Sequence, residues 1–514
     1  MALKRAVARK QLEILNEGYS HHGASRKKKS LRGWISSGGS SKEDIDDNLE
    51  LLRERSRDLY MGAPFATGAI KTTRTNVIGS GLRLKSQIDY EYLNLDYEEA
   101  ATWEANVERE FNLWAESVNC DSQRMNDFYE LQQLAFLSWL MSGECFALLP
   151  FIPRPNMPYD IRVMLIEADR VCTPVPEPKS VNKIINGVEV DKNGAVLAYH
   201  IAQRHPGSRD FKEKQKWNRV EKFGAKTGRY NVIHLMESER PEQRRGVPML
   251  APVIECLKQL SRYTEAELMA AVISGMFTVF IESQNESSDG MLGEMIDEED
   301  QVSDSEYNYE LGNGAIVGLA PGEKANIANP GRPNTAFDGF VTSICRQIGA
   351  AIEVPYELLI KHFSASYSAS RASLLEAWKM FRMRRSWMAN DFCKPIYEEW
   401  LCEAVASGRV SAPGFFNDPM IRKAYCGAEW NGPSQGQIDP LKEVNAAEKR
   451  VANGFSTRAR ETQELTGGDW QKNYRQRVRE EKLMREGGLI SDGQVLDIQE
   501  PRDTEGGTNA IWPD

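Results

Sequence analysis

The sequence predicts a mixed α/β and α-helical protein built from two to four structural units. Three observations carry this. A chain of 514 residues is longer than one hydrophobic core usually organises. Apolar residues recur at three- and four-residue steps over most of it, the mark of amphipathic helices. Between about residues 143 and 240 the period changes to two and turn residues become frequent, which marks mainly antiparallel strands.

Taken in order, the first 35 or so residues read as a basic arm, with nine Lys or Arg by residue 32 against Glu13 and Glu17. A helix starts near residue 42, where Ser41 precedes Glu43 and Asp44 and an apolar series of Ile45, Leu49, Leu52 and Tyr60 follows. A second helix carries Ala69, Ile70 and Val77 and ends at the GSG of 79–81. Trp103, Val107, Phe111, Trp114 and Val118 form one apolar stripe, and Phe128, Leu131, Ala135, Trp139 and Leu140 another, both read as packing faces. Strands are expected over 143–151, 161–171, 184–190, 196–202 and 230–236, with turns at Gly187 and Asn193-Gly194.

A long helix follows, with Val253, Leu257, Leu260, Thr264, Leu268, Ala271 and Gly275 in period. A strand-like stretch returns at 314–319, and a further helix over about 338–352 must stop before Pro355. Residues 363–385, FSASYSASRASLLEAWKMFRMRR, pass from small and hydroxyl side chains into a basic helical segment without a glycine. The expected helix runs from Leu374, capped by Ser370 or Ser373, with Trp378, Phe381, Met388 and Phe392 on its buried face.

Charge is unevenly placed on a chain of net charge −10. Between Arg262 and Lys324 there is no basic residue in 61 positions, while Asp and Glu number fourteen. Such a surface stays near a polyanion without sticking to it, because like charge suppresses phosphate binding. Two long helices bracketing an acidic insertion, followed by a small-residue collar and a basic rod, suit one subunit of a ring around a charged channel.

Catalytic chemistry finds no signature here. Eight cysteines contain no CxxC pair and six histidines are scattered, so neither a metal nor a disulfide framework is expected, and a reducing compartment suits the thiols. GAKTGR at 224–229 lacks the spacing and the terminal Lys-Ser/Thr of a phosphate-binding loop and reads as a turn. Glu294, Asp297, Glu298, Glu299 and Asp300 offer carboxylates for a two-metal nuclease, the main enzymatic alternative, but they crowd one polar run without histidine. No cofactor is implied. No apolar run approaches the roughly 20 residues of a membrane span, so a soluble, non-secreted protein without membrane insertion is expected.

Seven blocks in fixed order carry a resemblance. They are RSRDLYMGAPFATGAIKTTRTNVIGSGLRL at 55–84, SGECFALLPF at 142–151, IEADRV at 166–171, VIHLMESERPEQRRGVPMLAPVI at 232–254, VPYELLI at 354–360, SYSASRASLLEAWKMFRMRR at 366–385 and NGFSTRARETQELTGGDW at 453–470. In these the chain resembles the portal proteins of tailed bacteriophages, lambda-type family.

The resemblance implies the portal fold, with wing, long-helix stem, clip and helical crown, assembled as a ring of twelve copies. It implies residence in the virion at the portal vertex of the head, after assembly in the host cytoplasm. The implied partners are its own copies, double-stranded DNA passing without sequence specificity, the terminase large subunit, head-completion and connector proteins, and the major capsid and scaffold proteins. By the same resemblance, after the basic arm of 1–35, residues 36–250 are the wing, 251–280 the first stem helix, 281–330 the acidic clip and 331–354 the second stem helix. Residues 355–373 hold the tunnel loop, 374–402 the long wing helix, 403–487 the crown and 488–514 a flexible tail.

Channel residues are then Lys361, His362, Ser364, Ser366, Tyr367, Ser368, Ser370 and Arg371. Motor docking falls to Glu294, Asp297, Glu298, Glu299 and Asp300. Trp378 and Phe381 are expected in the core, with Arg382 and Arg385 bridging subunits through acidic partners in preference to touching DNA.

Overall fold

The structure is a computed structural model that describes residues 4–5, 28–31, 33–34, 38–209, 214–275, 279–282, 316–319, 336–363, 366–437 and 439–489. The acidic cluster at 294–300 and the tail from 490 lie outside the described residues.

The first helix does not run unbroken from residue 42. Ser40 and Glu43 cap each other reciprocally around the four-residue turn Ser41–Asp44, a tighter turn covers Asp46–Asn48, and the helix proper, α1, is Leu49–Gly62. Pro64 in the first turn starts α2 (Pro64–Val77) after only one connecting residue. Strand β1 (Arg83–Ser86) leads to α3 (Tyr97–Ala115) and α4 (Phe128–Ser142), whose N-terminal turns are fixed by Asp96 with Glu99 and by Asp127 with Glu130. The α3 stripe ends earlier than expected: Val118 lies beyond the helix in a separate turn and is exposed.

Two sheets follow. One has the order β3-β2-β8, formed by Met164–Ile166, Glu144–Leu148 and Val232–Met236, all antiparallel. The other runs β4-β5-β6-β7 through Lys183–Ile185, Val188–Val190, Val196–Ala202 and Trp217–Glu221. The single strand expected over 184–190 is a hairpin: Asn186 at φ 42° and Gly187 at φ 82° make the two-residue turn that Ile185 and Val188 close as partners. Strand β7 was not expected, because WNRVE has only two apolar residues, Trp217 and Val220, out of step with alternation and inside a polar run. Its backbone pairs fully with β6 while its side chains stay largely at the surface. In the opposite direction, only Met164–Ile166 of the expected 161–171 strand is ladder, and Ala168–Arg170 turns away.

Helix α5 (Ile254–Gly275) leads to the short strand β9 (Val279–Glu282), which pairs in parallel with β10 (Ile316–Leu319). Helix α6 (Phe337–Ala351) returns beside α5, with Tyr263 stacked 5.6 Å from Phe337 and edge-on 4.8 Å from Phe340. Helix α7 (Tyr356–Ile360) precedes the long rod, which consists of α8 (Tyr367–Met388), a π-turn at Ala389–Cys393 and α9 (Lys394–Ala406). Pro395 explains the π-turn, since it lacks an N–H and its ring cannot sit over a carbonyl four residues back in a regular helix. The chain ends with α10 (Pro419–Tyr425), β11 (Ala428–Asn431, paired antiparallel to β1), α11 (Pro440–Ala452), α12 (Arg458–Thr466) and α13 (Trp470–Glu486).

One core joins α1–α4, the root of α5, α6, α7 and the α8–α9 rod, and a smaller one lies between the sheets around Phe146, Tyr199 and Val232. At the centre of the larger core the Phe111 ring meets Trp114, Phe128, Tyr397, Trp400 and Trp430 at 5.1–5.9 Å between centroids. Both aromatic stripes read from the sequence are therefore packing faces. No described helix is long and apolar enough to cross a membrane.

Candidate channel face and the junction behind it

The expected collar is shorter than its composition suggests. Helix α7 closes on Lys361, whose left-handed φ of 55° ends it, and His362 N–H donates to the Glu357 carbonyl at 3.1 Å. Lys361, His362 and Phe363 are exposed. Helix α8 then begins at Tyr367, with Ser366 in the capping position, and Ser370 N–H donates to the Ser366 carbonyl at 2.9 Å. The expected start at Leu374 is thus seven residues late. With no Gly or Pro in the run, Ala369 and Ala372 favour helix and the serines are accepted in its first turns. Tyr367, Ser368, Ser370 and Arg371 therefore sit on the helix rather than in the loop, and Ser364 lies outside the described residues. Arg371 lies 3.6 Å from Glu443 of α11.

The loop is held from beneath by a tight corner. Glu353 takes φ 60°, and the chain folds back so closely that a Cβ on Gly349 would lie 2.5 Å from the Val354 carbonyl oxygen. Thr342 and Tyr356 hydroxyls are hydrogen-bonded at 3.1 Å, and Arg346 lies over the Tyr356 ring at 5.4 Å.

On the rod, Trp378 and Phe381 are buried and meet edge-on at 5.8 Å. Arg385 corrects the expected intersubunit bridge. Its Nε donates to the Val77 carbonyl at 3.0 Å and its Nη2 to the carbonyls of Asn76 and Pro433 at 2.9 Å, while its Cζ lies 5.4 Å over the Trp378 ring. It caps the C-terminal carbonyls of α2 within its own subunit. Burial, with Arg382 beside it, pushes its pKa down to about 10. Arg382 is exposed and 3.9 Å from Glu464 of the same chain. Arg384 is buried between them, with Glu353 at 3.6 Å and the Met249 sulfur at 3.7 Å, so the rod also holds the base of the α5–α6 pair, where the chain enters α5 and leaves α6.

Sequence reasoning missed a buried charge cluster at the root of α5. Glu144, the first residue of β2, has no solvent exposure and receives Arg53, Arg245 Nε at 2.7 Å, His234 Nε2 at 2.8 Å and the Gly246 N–H at 2.9 Å. Arg53 also donates from Nε to the Ser142 carbonyl at 3.0 Å, and Arg245 to the Val171 and Ala168 carbonyls at 2.7 and 2.8 Å. Burial alone would raise the Glu144 carboxyl. The adjacent Arg245 and Arg53 guanidiniums, with His234, override it and hold the group well below the usual carboxylate range. Burial also lowers His234 despite its carboxylate partner. The backbone is equally tight: a Cβ on Gly246 would fall 2.0 Å from the Gly143 carbonyl oxygen. A lone Glu opening the apolar strand ECFAL was the only available signal.

Among the described residues, Glu167, Asp169 and His205 bring three possible ligand atoms within 4.8 Å of one another. Arg57 already lies 2.5 Å from Asp169 and 3.2 Å from Glu167, and Arg53 3.4 Å from Asp169, so these charges are satisfied as an ion-pair network. The GAKTGR segment is a turn, with Gly228 N–H donating to the Gly224 carbonyl at 2.8 Å.

The described residues thus combine small sheets, a helix pair and a cross-packed rod. Residues 27–385 match the family model for phage portal protein, lambda family, and the chain belongs to that family. Portal protein B of Escherichia phage lambda is 27% identical over 491 residues, covering 92% of this chain and 91% of the relative. The portal protein of Escherichia phage N15 is 27% identical over 483 residues, covering 89% of each. A probable portal protein of Halomonas phage phiHAP-1 is 24% identical over 419 residues, covering 81% and 77%. Among solved structures, the neck of a native gene transfer agent particle, computed with C12 symmetry, aligns with a TM-score of 0.38 at 14% identity, covering 81% of this chain and 92% of that one.

The chain has the mixed α/β, largely helical portal fold and functions as a ring-shaped portal forming the DNA channel of a tailed phage. It is a structural component of the viral particle and not an enzyme. It works as a ring in the context of the capsid and its packaging machinery.

Proposed function

We propose that twelve copies close a ring at one vertex of the head, formed in the host cytoplasm, and that genomic DNA enters and leaves along its axis. The α5–α6 pair is the stem, the segment between β9 and β10 with the 294–300 carboxylates is the clip, the rod spans the wing, and residues from 403 form the crown. The terminase large subunit docks on the clip during packaging and head-completion proteins replace it afterwards. Major capsid and scaffold proteins surround the wing.

One observation carries this reading. Among the described side chains of α5 beyond Leu260 none is buried, and Leu268, Met269, Val272 and Phe340 lie exposed on the part of the α5–α6 pair that extends past the core. Such a pair needs neighbours, which a ring supplies. The exposed Lys361, His362 and Ser366 beside its base then line the narrowest part of the channel. DNA slides there because few cations grip it at once, each contact adding a salt-dependent affinity term.

Ser366→Trp tests the constriction. Normal ring yield with reduced packaging is expected, since an exposed loop accepts added volume while the channel repeats the obstruction in every copy. Packaging at the unmodified rate would remove residues 361–366 from the constriction.

A further inference from the structure

The terminal helix α13 differs from the other long helices in that none of its 17 residues is buried. It is fastened at its N-terminal end alone. Asp469 accepts from the Gln471 and Lys472 amides at 2.7 and 3.0 Å and pairs with Lys85 at 3.2 Å, while Trp470 stacks on Tyr474 at 5.4 Å. The helix carries six Lys or Arg against three Glu, on a chain whose net charge is −10. Its charges are sorted. Arg477 pairs with Glu481 at 2.7 Å, Gln476 with Glu480 at 2.8 Å and Lys482 with Glu486 at 3.9 Å. Lys472, Arg475 and Arg479 are exposed and make no ion pair among the described residues; Arg485 makes none either, but lies on another side of the helix.

At about 100° per residue these three side chains fall within an arc of about 60° and span about 10 Å of axis. Tyr474, Val478, Leu483 and Met484, the apolar exposed residues, fall outside that arc. One DNA strand presents a phosphate about every 3.4 Å of duplex axis, so about 10 Å offers three phosphates to three cations. No aromatic side chain lies within the arc, and the neighbouring amide, Gln476, is tied to Glu480 at 2.8 Å.

We propose that the Lys472, Arg475 and Arg479 face of α13 is a contact for duplex DNA that reads phosphate charge without sequence. The site rests on the reading of the chain as a DNA-carrying ring, and lies on the crown, apart from the collar. It is a holding contact on the packaged genome, where the channel itself must let DNA slide.

The test is fluorescence anisotropy of a short mixed-sequence duplex titrated with assembled full-length rings, over about 50 to 200 mM salt. For each engaged copy, Arg475→Gln with Arg479→Gln should lower the log-log salt slope by about 1.8, so the unmodified ring loses about 12-fold more affinity across that range than the variant. Arg477→Gln, which removes a cation paired on another side, should leave the slope unchanged. Equal slopes for the double variant and the unmodified ring overturn the proposal, as does an equal fall with Arg477→Gln. Failure of the double variant to form rings in native mass measurement makes the face a contact between copies, and also overturns it. Absence of rings from the unmodified chain would instead sink the portal reading itself.

Discussion

Replacing Glu144 with Gln keeps the side-chain shape and removes the charge that four groups share. The carboxylate is unexposed, and Arg53, Arg245, His234 and the Gly246 amide all present donors to it. A Gln amide offers one acceptor oxygen and turns an NH2 group toward existing donors, leaving the buried Arg245 without a counter-charge and Arg53 with Asp169 alone, 3.4 Å away. Breaking a buried pair in this way costs about 3–5 kcal/mol. A chain of this size need not unfold in one step, so the suitable assay is hydrogen exchange at the paired β2 and β8 amides. Their opening constants should rise about 150- to 5,000-fold. Arg245→Met combined with Glu144→Gln should be markedly less destabilising than the sum of the two, because each single change strands the other partner. A change below about 1 kcal/mol, or simple additivity, would refute the idea that this cluster fixes the root of α5.

Phe381→Ala, at a side chain 1% exposed between Trp378 and the core, should cost about 3–5 kcal/mol and reduce ring yield, read by thermal melting and native mass. Gly246→Ala should destabilise by about 3 kcal/mol, since its Cβ meets backbone rather than a movable side chain, and the same exchange experiment on β2 checks it. Stability should fall on acidification in two stages. His234, held below its ordinary 6.5, loses its contribution as pH drops from there, and Glu144, held below its ordinary 4.5, loses its own as pH drops further. His234→Gln should flatten the upper stage of a pH series of urea midpoints and leave the lower one.

The long helices were legible because their signal is local. Phe111, Trp114, Phe128 and Trp139 recur at helical spacing, and all four are buried. Strand β7 was not legible, because its pairing with β6 uses backbone groups and its side chains face water. The serine collar misled by composition: Ser368 and Ser370 lie in a helix whose start is set by Ser366 and by neighbouring alanines. Arg385 read as a bridge between subunits, and only the fold brings the α2 carbonyls, 308 and 309 positions away in sequence, to its guanidinium. Glu144 illustrates the same limit, with Arg53 and Arg245 respectively 91 and 101 positions distant. Function was more legible than these contacts, since the ordered blocks from 55 to 470 identify a family even where no single side chain declares a role.

The central claim is that the chain closes into a ring around a DNA-sized axial pore, and the most direct measurement is native mass combined with electron micrographs of the purified protein. A particle of about twelve times 58.1 kDa with rotational symmetry and an open axis is expected. A stable monomer at micromolar concentration across a range of salt, with no ringed particles in the images, would contradict it.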